Sequence, residues 1–152
     1  MTIKISAWGT RWLSISGVLI ALLGVVHLAA TPGVMGGIPE SVPAEFRLAF
    51  LFMFAAAGLG VVFAGILIIG AAIGMARHWP GARILGFSAG IFTTLLGIGA
   101  VAAMPGNPFS YVLLFLGLSV LPSLVLSRRG RFEGGDVLDF HRDAPDEKRT
   151  FH

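Results

Sequence analysis

His27 is the only ionisable residue well inside an apolar run of this chain. Imidazole changes charge near neutral pH and ligates metals, so its position matters. An ionisable group at membrane depth normally faces other helices and marks a proton, ion or ligand site. Gly24 and Thr31 lie on its helical face, at i−3 and i+4. Glu45 and Arg47 open the next apolar run. If the first helix ends near Ala30, these two residues share the depth of His27. A carboxylate at Glu45 can fix an imidazole tautomer, and it also suits a helix N-terminus. His27, Glu45 and Arg47 therefore form a candidate ligand-binding cluster for a proton, a metal or a small anion. The plainer reading makes His27 a donor to a backbone carbonyl and Glu45 a helix cap.

Other chemistry is thinly represented. Met35, Met53 and Met104 could join His27 as soft Cu(I) ligands, but methionine is common filler in apolar segments. His78 belongs to the opposite end of the spans, so a haem held between His27 and His78 is geometrically excluded. There is no cysteine, which removes disulfides, thiol catalysis and Cys-based metal centres. No phosphate-binding loop, nucleophile elbow, His-Glu-x-x-His motif or dinucleotide fingerprint occurs. No catalytic residue, metal site or cofactor is expected. Small multidrug exporters have a similar length and span number. They depend on an embedded glutamate in their first helix, where this chain has His27 instead.

The elements that would hold such a site follow from composition. The chain has 152 residues, 55% hydrophobic and 12% charged, with a mean hydropathy of +0.85. Soluble domains carry about twice that share of charge. Between Trp12 and Ser127 the only charged residues are Glu40, Glu45, Arg47, Arg77 and Arg83. Twelve more charges, six of each sign, crowd into residues 128–152. A soluble enzyme or a nucleic-acid binder does not fit this distribution; a polytopic membrane protein does.

Four apolar runs, about residues 12–30, 44–76, 84–104 and 109–127, each suffice to cross roughly 30 Å of hydrocarbon as a helix. Residues 31–43, with three prolines and three glycines, read as a loop. The first run lacks the small residue wanted at a leader-peptidase site, so it reads as a retained span. The fold class expected is an all-α, four-helix transmembrane bundle over residues 1–127. Lys4, Arg11, Arg77, Arg83 and Arg128–Arg131 fall on one side, and Trp8, Trp12 and Trp79 mark that same boundary. The positive-inside rule then puts both termini in the cytoplasm of a cell inner membrane. Residues 128–152 read as a disordered, charged cytoplasmic tail.

Twenty-one glycines need a purpose. Lipid gives helices no hydrophobic reason to meet, so small residues must let backbones approach. Ala56, Gly60 and Ala64, Gly86 and Gly90, and Ser119 and Ser123 have the required i+4 spacing. The function expected is a non-catalytic accessory or structural subunit, packing on itself as a homo-oligomer or within a larger membrane complex. The alternative is a binder or transporter of a small ligand, proton or ion near His27 and Glu45. An enzyme is the least favoured reading.

Overall fold

The structure, a computed structural model, describes residues 4–126, with side chains from Trp8 onward. The expected disordered tail lies outside the described residues. Four helices follow one another: α1 Lys4–Gly36, α2 Ala44–Ala76, α3 Ala82–Ala103 and α4 Pro108–Leu126. All four are long and apolar enough to cross a membrane. Where water is absent a helix alone satisfies its own backbone, which is why these apolar runs do not become strands.

The main departure from expectation is α1, which does not end at Ala30 but continues through Pro32 to Gly36. Proline removes one backbone donor, and in water that commonly ends a helix. Here Thr31 Oγ1 donates to the His27 carbonyl at 3.4 Å, beside the Leu28 carbonyl that Pro32 leaves without its N–H. Stopping the helix in an apolar medium would orphan several backbone groups, so continuing is the cheaper solution. The same arrangement recurs in α4, where Ser123 Oγ donates to Ser119 O at 2.7 Å next to Pro122. Gly37 and Ile38 finally close α1 by donating to Val34 O and Met35 O.

The helices form a ring in which α1 packs on α2 and α4, and α3 on α2 and α4. Leu13, Ile20, Val61, Ile68, Leu116, Val120 and Leu124 fill the centre. Sequential neighbours are antiparallel, and glycines bring each pair together. A methyl group at Gly65 would lie 2.5 Å from Ala21 N, and one at Gly24 2.6 Å from Val62 N. Between α3 and α4, a methyl at Gly97 would lie 2.6 Å from Leu114 Cα, and one at Gly117 2.8 Å from Thr94 N. Gly17 and Gly24, like Gly58 and Gly65, stand seven residues apart, so the α1–α2 seam follows a heptad. Gly90 meets Val120 and Leu121 as an interface glycine. Gly60 differs from its assignment. It faces the Phe92 ring with ordinary room, because its face of α2 meets a flexible side chain and not a backbone.

The two hairpins have unequal heights. Ser16 Oγ lies 3.5 Å from Ser119 Oγ, which sets α1 against α4. From that level α1 rises about 30 Å to Gly36, while α4 reaches Pro108 after about 17 Å. A methyl at Gly86 would meet Ala71 Cβ at 3.2 Å, which sets α3 against α2. From there α2 rises about 40 Å to Ala44, but α3 only about 26 Å to Ala103. Both registers place a step at one end of the bundle, where the α1–α2 hairpin stands clear of α3–α4. By these registers His27 and Phe54 lie at its foot.

Loops 37–43 and 104–107 share that end, and the turn after α2 occupies the other. Cysteines introduced at Ser41 and Gly106 should be labelled by an impermeant maleimide from one side of the membrane, and cysteine at Pro80 only from the other. Labelling of Ser41 and Gly106 variants from opposite sides would refute the antiparallel arrangement. Ser110, near the turn in sequence, is a poor reporter because it is 3% exposed and faces the bundle.

Candidate functional site

His27 sits half-buried on α1 with its ring stacked on Phe54 of α2, centroids 3.9 Å apart and planes 19° from parallel. Its Nε2 lies 3.2 Å from the Phe54 carbonyl oxygen. A carbonyl only accepts, so Nε2 carries the proton in this contact. Gly58 makes the approach feasible. A methyl there would lie 3.0 Å from His27 Cδ2 and 2.8 Å from Leu28. The imidazole thus joins two helices at the foot of the step.

Glu45 and Arg47 are elsewhere. Both lie in the first turn of α2, Glu45 exposed and Arg47 half-buried. Phe54 follows Glu45 by nine residues, about 14 Å along the helix. Among the described residues no hydrogen bond or ion pair joins His27 to either of them. The expected common depth rested on a first helix ending at Ala30. Since α1 runs nine residues past His27, the start of α2 is carried away from the imidazole. Pro43 precedes α2 without a side-chain cap, so Glu45 contributes charge near the helix N-terminus.

Arg47 belongs to a different feature. With Ile38, Val42, Phe46, Phe50 and Met53 it lines an open groove of about 420 Å³ on the raised part of the hairpin. Phe46 and Met53 lie two heptads and one heptad before Gly60, so they continue the face that meets α3 lower down. The groove therefore overhangs the end of α3. Its signal in the sequence is the pair Phe46 and Phe50 flanking Arg47 at the start of the second apolar run.

Several hydroxyls within the spans bond carbonyls of their own helix. Thr93 and Thr94 donate to Ala89 O and Gly90 O, each at 2.8 Å, and Ser119 donates to Leu116 O at 2.8 Å. Comparison with known protein families, with curated proteins and with solved structures finds no match to this chain. Function must therefore be argued from these contacts.

A helix cross-link should have a measurable stability. His27→Gln can still donate to Phe54 O and is expected to unfold near the wild-type temperature in mild detergent. His27→Leu loses the bond and the stacking partner, and should cost about 1 kcal/mol, the usual scale for an interhelical polar contact. Equal melting of all three proteins would mean that the imidazole carries no structural load.

Proposed function

We propose that this small multi-pass membrane protein is a non-catalytic accessory subunit that associates with a larger membrane complex. The observation that carries the reading is where its polar chemistry is spent. The imidazole of His27 bonds a carbonyl of the neighbouring helix, and the hydroxyls of Thr93, Thr94, Ser119 and Ser123 each turn back to a carbonyl of their own helix, leaving none of them for a ligand. Glycines seal α1 to α2 and α3 to α4 at backbone distance. The interior is thus committed to holding four helices together, which is the construction of a scaffold. Outward, Phe52, Leu59, Phe63 and Ile66 form a bulky exposed stripe along α2, a surface open to lipid or to a partner's helices.

The orientation proposed has both termini in the cytoplasm of the cell inner membrane. It rests on the arginine and lysine bias and on Trp8, Trp12 and Trp79 at one boundary. The stepped end then faces outward.

Site-specific photocrosslinking in intact membranes tests the role. A photoreactive residue replacing Phe52 or Phe63 is expected to give one discrete protein adduct. The same residue replacing Ile68, which is fully buried at the centre of the bundle, should give none. An adduct of twice the chain's mass would identify a second copy and replace the larger complex with a homo-oligomer. Adducts with lipid alone at both positions would overturn the accessory role.

A further inference from the structure

The groove beside Arg47 has a composition that the scaffold role does not use. Its walls, Ile38, Val42, Phe46, Ala49, Phe50 and Met53 together with Arg47, are almost wholly apolar, and Arg47 is their one charged residue. That cation is badly placed for the protein alone. Arg47 is the fourth residue of α2, in the turn where the partial charge of the helix is positive and a cation is disfavoured. Among the described residues no carboxylate pairs with its guanidinium, although Glu45 stands two residues away. Residues two apart point to different sides of a helix, so Glu45 does not face the groove.

An anion there would relieve both problems. It would face the guanidinium and the positive end of α2 together. The lining says what else the ligand carries. A free phosphate would gain one cation and leave the Phe46, Phe50 and Met53 surfaces uncovered. A phosphate attached to an acyl chain would satisfy the cation and cover those surfaces too. Arg47 immediately precedes the uncharged stretch Leu48–Ala76, so a phosphate on its guanidinium would have apolar helix surface directly below it. The groove is open on one side, so an acyl chain can lie against Phe50 and Met53.

We propose that the Arg47 groove binds one anionic phospholipid, the phosphate on the guanidinium and an acyl chain against Phe46, Phe50 and Met53. The proposal is independent of the accessory role. A lipid seated here would hold the raised hairpin at a fixed height in the membrane.

The full chain, purified in mild detergent, can be titrated with phosphatidylglycerol or phosphatidylcholine and read by native mass spectrometry. Wild type is expected to bind the first phosphatidylglycerol about fivefold more tightly than phosphatidylcholine, the scale of one basic residue at a membrane surface. Arg47→Gln should abolish that preference, and Arg83→Gln, at the opposite end of the bundle, should keep it. Phe50→Ala should weaken both lipids together, because it removes apolar wall and no charge. Circular dichroism with a thermal scan confirms that each variant is folded. Retention of the preference in Arg47→Gln, or equal affinity of wild type for both lipids, would overturn the site. Displacement of the bound lipid by millimolar inorganic phosphate would assign the cation to free phosphate and overturn the lipid.

Discussion

Gly65→Ala should separate α1 from α2 and cost at least about 3 kcal/mol, the upper range for overpacking a tight interior. The added methyl would meet Ala21 N at 2.5 Å, Gly17 O at 2.6 Å and Ala21 Cα at 2.8 Å. All three are backbone atoms, so no rotamer change can make room. The helices must move apart, and the other contacts of the seam at Gly17, Gly24 and Gly58 loosen with them. Gly70→Ala, five residues along the same helix, meets only the tip of Leu85 at 4.0 Å. It should be neutral or slightly stabilising, since alanine favours a helix by about 1 kcal/mol over glycine. Thermal unfolding in detergent, followed by circular dichroism, compares them directly. Similar melting of the two variants would refute the α1–α2 seam.

The second large effect belongs to the other hairpin. Gly97→Ala places a methyl 2.6 Å from Leu114 Cα and 2.8 Å from Leu114 N. Gly117 approaches Thr94 in the same way from the facing helix, so the strain cannot be shared out by sliding α3 along α4. A loss of about 2–3 kcal/mol is expected. Gly99→Ala is the internal control, because nothing lies within 4 Å of a methyl there. These two glycines are separated by one residue, yet their variants should differ in stability by at least about 2 kcal/mol. Indistinguishable variants would mean that α3 presents a different face to α4.

The contrast between such neighbours explains what sequence reading can and cannot reach here. The four spans were legible because apolar runs of sufficient length leave the chain little choice. The start of α3 and the turn before α4 came within two residues for the same reason. Rotation of each helix about its axis was not legible. In α2 and α4 apolar residues surround the helix, so no polar stripe tells which side turns inward. Gly60 and Gly65 look equivalent in composition, and only the assembled bundle puts Phe92 opposite one and Ala21 backbone opposite the other. The end of α1 was misplaced because proline is read by its behaviour in water, where a freed carbonyl finds a solvent partner. His27 was legible as an embedded polar group. Its partner was not, because the Phe54 carbonyl is a backbone atom that residue type does not announce.

The step between the hairpins has an elastic consequence. At 19 residues α4 measures about 29 Å and matches an ordinary hydrocarbon layer, whereas α1 and α2, at 33 residues each, measure about 50 Å. The molecule therefore has a tall flank and a short one. Lipid must stretch beside the first and relax beside the second, or the whole body must lean, at a fraction of a kcal/mol per ångström of misfit. A symmetric bundle would feel no torque from this, but a lopsided one does. In a membrane of uneven thickness it should drift to the boundary between thick and thin regions and turn its α1–α2 flank toward the thicker side.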